Sequence, residues 1–271
     1  MVNSKESKID FGATPELESE SIYDMLARIG DRTRPLLLPA IQRRFVWYPN
    51  DICKLFDSIL QGYPIGTFLF WEIEDKRRHE YAFYEFIREY SEHEEGRYNP
   101  TAERNLPPGV TGVLDGQQRL NSMLIALCGS YRQYVGGRGS PKRLKSNYHE
   151  RWLHLSVDAD TSEESETPVR FKFLTRDEAY PSNSRDQPIW FPVDRIFYAT
   201  HVDELTESWS RFLADLPNKK RSLQEVPSTL RLLRKRIHEE DLIRYFPIRK
   251  RSLTEALDIF IRANNGGVQV T

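Results

Sequence analysis

Apolar and polar positions change their spacing abruptly near the middle of the chain. An apolar run ends at Leu114 and is followed by five polar residues, 115–119. Apolar residues then recur at three- and four-residue intervals, at positions 120, 123, 124 and 127. This change predicts a strand that turns directly into a helix. The free backbone N–H groups and the partial positive charge at the start of such a helix favour a phosphate.

The same spacing rules predict the elements on either side. Strands are predicted at 36–39, 67–71, 152–157, 170–174 and 242–248, with 81–87 as either a strand or a short helix. Helices are predicted after the cap at 49–51, at 203–216, at 228–240, and after a capping box formed by Ser252 and Glu255. The segments 152–157 and 170–174 would form a hairpin. Because strands and helices interleave irregularly, we expect one α+β or mixed α/β domain over residues 20–271, preceded by a loosely attached tail, 1–19.

Composition narrows the class of protein. With 271 residues, 39% of them hydrophobic and 29% charged, the chain is typical of a soluble globular protein with a sizeable core. It has neither an apolar run of about 18 residues nor an apolar N-terminal segment, so we expect no membrane span and no secretory signal. Two isolated cysteines, Cys53 and Cys128, argue against a disulfide scaffold or a zinc cluster and fit the cytoplasm.

The net charge of −1 conceals local clusters of charge. Basic residues gather at positions 28, 32, 34, 43 and 44 and again within 231–251, whereas 72–95 is rich in acids. Such basic clusters could meet nucleic acid or the phosphates of a nucleotide. For the second cluster, a solvated helix face is the alternative interpretation.

The polar segment 115–119 carries the candidate chemistry. Asp115 can cap the helix or ligate magnesium, and Gly116 permits a sharp turn and the close approach of a ligand. Gln117 and Gln118 can position water or read the edge of a base. Arg119 can donate to phosphate oxygens. The alternative is an ordinary capped helix with polar residues on its solvent-exposed face.

Two further segments offer partners to this turn. Arg43 and Arg44 cannot both enter the core, so at least one of them should face solvent or a ligand. The neighbouring Phe45 and Trp47 are expected to pack in the core. Near the end of the chain, Asn-Asn-Gly-Gly at 264–267 is typical of a helix C-cap. Arg262 and Asn264, which lie at this helix end, could reach an anion.

In this order and spacing the segments resemble the DUF262 family, the N-terminal domain of GmrSD-type, modification-dependent restriction systems. The family pattern is close to I-P-x-Y-Q-R-x-Y-x-W, then G-Y-P-I, then D-G-Q-Q-R-L, then F-x-R-x-N-x-x-G. The counterparts here are 38–47, 62–65, 114–120 and 260–267. The matching polar and glycine positions are Gln42, Arg43, Asp115, Gly116, Gln117, Gln118, Arg119, Arg262, Asn264 and Gly267, together with Trp47. The departures are Ile41, where an aromatic residue is usual, and Phe45, where tyrosine is usual.

The resemblance implies a ParB/sulfiredoxin-like α+β fold, a mixed sheet with surrounding helices. In that superfamily a Gly-x-x-Arg element at a helix N-terminus binds phosphate, which here would be Gly116 to Arg119. Sulfiredoxins carry a cysteine inside this element, whereas this chain has Gln117 and Gln118, so the resemblance argues against thiol repair. It implies nucleotide binding and hydrolysis in defence against phage with modified DNA, and a helical region followed by an HNH nuclease domain. The sequence contains no His-Asn-His constellation, and the Gly-Gly turn followed by 268–271 leads us to expect further structure after Thr271.

The hypothesis is therefore a nucleoside-triphosphate hydrolase that supports a DNA endonuclease, with an NTP and Mg²⁺ as cofactors. Its expected partners are DNA and an HNH nuclease domain in cis or in trans. The candidate catalytic residues are Asp115, Gln117, Gln118 and Arg119, with Asp115 also the candidate metal ligand. The candidate nucleotide-binding residues are Gln42, Arg43, Gly116, Arg262 and Asn264. Three alternatives remain: a non-catalytic module that binds DNA and senses modified bases, a direct nuclease, which a lone carboxylate fits less well, and a folded interaction domain with a vestigial pocket.

Overall fold

Two β-sheets share one hydrophobic core in the computed structural model, which describes residues 16–41, 44–93, 96–137, 141–142, 144–157, 170–180, 188–216 and 225–265. The first sheet has six strands, in the spatial order β1 (Glu18–Glu20), β11 (Ile243–Ile248), β3 (Thr67–Glu72), β6 (Thr111–Asp115), β2 (Leu36–Pro39) and β4 (Phe83–Tyr84). The second sheet has the order β10 (Trp190–Pro192), β8 (Tyr148–Ser156), β7 (Ser130–Tyr134) and β5 (Glu89–Ser91), with β9 (Phe171–Leu174) also paired to β8.

The helices surround these sheets. They are α1 (Ile22–Ile29), α2 (Pro49–Gln61), α3 (Gln117–Cys128), α4 (Arg176–Ala179), α5 (Asp194–Tyr198), α6 (Val202–Asp215), α7 (Ser228–His238) and α8 (Leu253–Asn265). Strand β6 lies between an antiparallel neighbour, β3, and a parallel neighbour, β2. Parallel and antiparallel strand pairs together with several helices are consistent with the predicted α+β class.

Helix α3 is the central helix of the fold. It contacts α1, α2 and α5 as well as strands β7 and β8. Its apolar residues are almost fully buried, and so are the polar Asn121 and Ser122, at 1% and 0% exposure. A helix buried on most of its sides gives the residues at its N-terminus a fixed position. The opposite face of the first sheet carries a smaller core, in which Leu114 of β6 and Ala256 of α8 take part.

Most predicted elements are confirmed, with three differences. The hairpin of β8 and β9 is present, but β8 begins earlier than predicted, at Tyr148. Of the segment 81–87, only Phe83–Tyr84 forms a strand. The boundary at residue 19 is wrong, because Glu18–Glu20 already pairs with β11, where Glu18 lies opposite Tyr245. Residues 1–15 lie outside the described residues.

The second basic cluster is a solvated helix face only in part, because Arg231 and Lys235 are exposed on α7 whereas other members are held by the fold. Arg234 on α7 is buried, and its Nε donates to the carbonyl oxygen of Ala199 at 3.0 Å. Arg249 follows β11 and makes ion pairs with Glu18 and Glu72, on β1 and β3. These two arginines therefore stabilise the fold, and the sequence alone did not separate them from arginines free to meet phosphate.

His154 on β8 predicts how stability depends on pH. Burial, opposed by a 2.9 Å hydrogen bond from Nδ1 to the Trp152 carbonyl, lowers its pKa to about 4. The unfolded imidazole titrates near pH 6.5, so the stabilisation is complete above that pH and is lost as pH falls towards 4. Between about pH 7 and pH 5, His154 should lower the free energy of unfolding of the wild type by about 2 kcal/mol. We expect His154→Gln to lack this pH-dependent loss.

Urea unfolding at the two pH values measures this difference. His149→Gln is the matched control, because His149 lies exposed on the same strand. It should keep the wild-type pH dependence. An unchanged pH dependence in His154→Gln would show that His154 is not the group responsible.

Candidate functional site

A strand–glycine–helix turn joins β6 to α3 in the middle of the first sheet. Gly116 has φ 93° and ψ 3°, the left-handed conformation, and is the N-cap of α3. A Cβ atom at this position would lie 2.0 Å from Cδ1 of Phe68. The position therefore requires glycine twice over, for its backbone angles and for the close approach of a ring. The sharp turn predicted for Gly116 is confirmed.

Asp115 precedes the N-cap of α3, so the interpretation that it caps the helix is wrong. Its Oδ1 accepts a hydrogen bond from the N–H of Gly116 at 2.7 Å, and its side chain is 43% exposed. The N-cap residue itself, Gly116, makes no side-chain cap bond to the first turn of α3. A central helix thus begins at a glycine N-cap beside a partly exposed carboxylate, and its first N–H groups favour an anion.

Arg119 is held in the first turn of α3 by the loop before β3. One terminal nitrogen donates to the carbonyl oxygen of Ile65 at 2.6 Å, and the other donates to that of Thr67 at 2.8 Å. The guanidinium lies 4.3 Å from the ring centroid of Phe68, and its Nη2 lies 3.5 Å from Oδ2 of Asp115. Burial lowers the pKa of Arg119, and the carboxylate of Asp115 opposes that shift.

This clamp leaves Arg119 charged and fixed in orientation. Its side chain keeps 17% exposure, and a guanidinium has five N–H donors. The hydrogen bonds to Ile65 and Thr67 use one donor on each terminal nitrogen. A guanidinium fixed in this way can meet an anion with little further loss of side-chain entropy.

The side-chain amide of Gln118 binds the backbone of a segment far away in the sequence. Its Oε1 accepts from the N–H of Val46 at 3.0 Å, and its Nε2 donates to the carbonyl oxygen of Arg44 at 2.9 Å. The side chain is 6% exposed. Both ends of the amide therefore bind the backbone of a distant segment, and the role of Gln118 in positioning a water stays a prediction.

Gln117 and Asn121 form the buried side of the same helix turn. Gln117 is 5% exposed, and its carbonyl oxygen accepts from Nδ2 of Asn121 at 3.0 Å. The Oδ1 of Asn121 accepts from the N–H of Ile87 at 2.9 Å. Sequence reasoning missed Asn121, although an amide on the apolar side of a helix was a signal for it. The catalytic role of Gln117 stays a prediction.

The other predicted residues are not brought to the turn by any described contact. Gln42 and Arg43 lie outside the described residues. Arg262 lies on the exposed side of α8, where its Nε pairs with Oδ2 of Asp258 at 2.9 Å. Asn264 belongs to α8, but its side chain lies outside the described parts of the chain. Their roles in binding a nucleotide stay predictions.

A second concave site lies beside the segment that Gln118 holds. This cavity has a volume of about 390 Å³ and is here called the tyrosine cavity. Its aromatic lining consists of Phe45, Trp47, Tyr48, Tyr90, Tyr131, Tyr134 and Tyr148. Its charged lining consists of Arg44, Arg97, Lys142 and Glu92. Sequence reasoning missed most of it, because its walls come from strands and loops far apart in the chain and share no local pattern.

The side chains at the turn could hold Mg²⁺ only together with oxygen atoms of a bound molecule. Among the described residues, no three His, Cys, Asp or Glu side chains lie together as a metal site. Mg²⁺ is commonly held by one or two carboxylates together with substrate phosphates and waters. Asp115, partly exposed at the N-terminal end of α3, supplies one such carboxylate. A metal at this turn would therefore depend on nucleotide phosphates for its remaining ligands.

Fold and site together define an α+β domain built around a strand–glycine–helix turn. The chain matches the model of the family described as GmrSD restriction endonuclease, N-terminal domain, over residues 22–271. It therefore belongs to that family, which confirms the resemblance drawn from the four motifs and associates the protein with restriction and defence. None of the described helices is both long and apolar enough to cross a membrane.

A similar protein is known from an archaeon. The chain is 40% identical over 90 residues to a protein of Methanocaldococcus jannaschii described as "Uncharacterized protein MJ0686". This match covers 33% of the chain and only 14% of that relative's length. The name of that relative states no activity, so this match assigns none to the chain.

Proposed function

We propose that the turn at 115–119 binds and hydrolyses a nucleoside triphosphate. The observation that carries this proposal is the N-terminus of α3, which begins at a glycine N-cap, Gly116, between a clamped guanidinium and a partly exposed carboxylate. Backbone N–H groups and the helix dipole would receive the phosphates, and Gly116 would let them approach closely. A fixed positive charge beside a transferred phosphate stabilises the transition state.

Each residue of the turn has a proposed part in this reaction. Arg119 would contact the phosphate oxygens through the donors that the loop carbonyls leave. Asp115 would hold Mg²⁺, which when bound would neutralise developing charge on the phosphates. Gln117 is the remaining amide for positioning the attacking water. Gln42, Arg43, Arg262 and Asn264 are proposed to complete the phosphate site, and the ParB/sulfiredoxin-like assignment of the fold belongs to the same proposal.

The proposed setting is a DNA restriction system directed against phage. Membership of the GmrSD family supports DNA as the eventual target and an HNH nuclease domain, in cis or in trans, as the partner that cuts it. In this setting, the turnover of a nucleotide would control a nuclease rather than supply the cut itself. A direct nuclease at the turn fits less well, because the described residues include no group of three His, Cys, Asp or Glu side chains that could hold a metal ion.

The metal role of Asp115 gives a direct prediction. Asp115→Asn keeps the size of the side chain and an acceptor for the Gly116 N–H but removes the charge that holds Mg²⁺. We expect nucleotide turnover to fall about 100-fold, and calorimetry with each of the four NTPs to lose the gain in affinity that Mg²⁺ gives the wild type. Binding without Mg²⁺ should persist, because the helix N-terminus and Arg119 are intact.

Asp203→Asn is the matched control, because Asp203 is an exposed carboxylate in the first turn of α6. It should behave as the wild type. Wild-type turnover in Asp115→Asn would remove Asp115 from the reaction. An absence of NTP binding by the unaltered chain would remove the proposed function.

A further inference from the structure

We propose that the tyrosine cavity binds one unpaired nucleotide of a DNA strand, with a preference for a base that carries an amino group. This inference rests on the proposed DNA partner and not on nucleotide turnover at 115–119. The described lining of the cavity contains none of the residues 115–119, and it includes the segment whose backbone Gln118 binds.

The aromatic walls provide surfaces for stacking. Tyr90 contacts Phe45 and Tyr131, with ring centroids 5.0 and 4.9 Å apart, so the inner wall is a rigid aromatic cluster. Tyr48 stands at the mouth with 66% exposure, and a tyrosine so exposed has a ring face available to a ligand. The volume of about 390 Å³ lies within the range of small-molecule pockets. Aromatic faces of this kind stack on bases of any sequence.

The rim of the cavity is basic. Arg44, Arg97 and Lys142 are exposed around it, and Glu92 is the acid among the described lining residues. Arg44 is stiffened by Tyr98, because its guanidinium lies 4.3 Å from that ring and donates to its hydroxyl oxygen at 3.1 Å. Cations beside stacking surfaces are the combination that holds the sugar-phosphate backbone of a single strand while its bases stack.

Glu92 gives the cavity its preference among bases. One carboxylate oxygen accepts from the hydroxyl of Tyr131 at 3.1 Å, and the other accepts from the N–H of Tyr134 at 2.9 Å. These two bonds fix the direction of the carboxylate, and each oxygen has a second lone pair to offer. A carboxylate accepts from the amino group of cytosine or adenine. Thymine has no amino group, and its single N3–H lies between two carbonyl oxygens that the carboxylate repels.

A paired base cannot reach these groups. The inner wall is formed by buried residues such as Phe45 and Tyr131, and a base that contacts them must leave its stack. Proteins that enclose a single base therefore act on single strands or turn the nucleotide out of the duplex. The cavity consequently predicts stronger binding of single strands than of duplexes of the same length.

Fluorescence anisotropy with short, end-labelled oligonucleotides tests the inference on the full chain in the absence of NTP. We expect oligo-dC and oligo-dA to bind about fivefold more tightly than oligo-dT and than a duplex. Tyr48→Ala should weaken binding of each single strand about tenfold by removing a stacking face. Tyr198→Ala is the matched control, because Tyr198 is similarly exposed on α5, and it should bind as the wild type does.

Glu92→Gln tests the preference separately from the stacking. An amide can donate to thymine as well as accept from cytosine, so the ratio of affinities for oligo-dC and oligo-dT should fall towards one. Equal affinity of wild type for single strands and duplex, or wild-type affinity in Tyr48→Ala, would overturn the inference. Because no NTP is present, neither result bears on hydrolysis at the turn, and the surface position of Tyr48 keeps the test valid if Glu92→Gln fails to fold.

Discussion

Arg119→Ala is expected to lower nucleotide hydrolysis by at least about 1000-fold, the range seen when an arginine that stabilises a transferred phosphate is removed. The guanidinium is held by the carbonyl oxygens of Ile65 and Thr67 and by the ring of Phe68, so its position is set before a nucleotide arrives. Steady-state turnover, with nucleotide affinity measured separately by calorimetry, separates a loss of catalysis from a loss of binding.

The same contacts mean that Arg119→Ala also loosens the loop at 65–67. Arg119→Lys therefore accompanies it, since lysine keeps the charge but cannot bridge two carbonyls in a planar arrangement. We expect Arg119→Lys to keep part of the affinity for nucleotide and to lose most of the turnover. Arg211→Ala is the control, because Arg211 is an exposed arginine paired with Glu207 on its own helix. Wild-type turnover in folded Arg119→Ala would exclude Arg119 from the reaction.

Gly116→Ala adds one methyl group to the turn. We expect it to lower the free energy of unfolding more than a methyl group added elsewhere in the site. The backbone at φ 93° is unfavourable for alanine, and the new Cβ would lie 2.0 Å from Cδ1 of Phe68. Backbone strain and overpacking each cost about 1–3 kcal/mol, so the free energy of unfolding should fall by about 2–6 kcal/mol. Urea denaturation followed by circular dichroism measures the change.

Gly137→Ala is the matched control for this substitution. No atom of the described residues lies within 4 Å of the position that its Cβ would take, so its stability should stay within about 0.5 kcal/mol of the wild type. A Gly116→Ala protein as stable as the Gly137→Ala protein would mean that the turn can relax away from Phe68. Its affinity for a nucleotide would then show whether the close approach is needed by the ligand.

Local features of the fold could be predicted from the sequence because they depend on residues a few positions apart. The capping box is one example, since Glu255 accepts from the N–H of Ser252 at 2.8 Å. The strand β6, the glycine turn and the start of α3 are another, because a change of apolar spacing and a glycine mark them. Prediction was weaker at Glu18–Glu20, whose short polar strand exists only because β11 provides a partner.

The sequence by itself determined the family, the α+β class and the turn at 115–119, because ordered motifs and apolar periodicity are properties of the chain read in order. Only the tertiary structure decided what the polar residues of the turn do. Gln118 and Arg119 are adjacent and both polar. Gln118 binds the backbone around residue 45, whereas Arg119 holds the loop at 65–67.

The tyrosine cavity likewise depends on tertiary packing. Tyr48, Glu92 and Tyr131 are far apart in the sequence and line one cavity only in the folded chain. Contacts between residues so far apart in sequence are selected by burial and hydrogen bonding across the whole core. No local pattern encodes them.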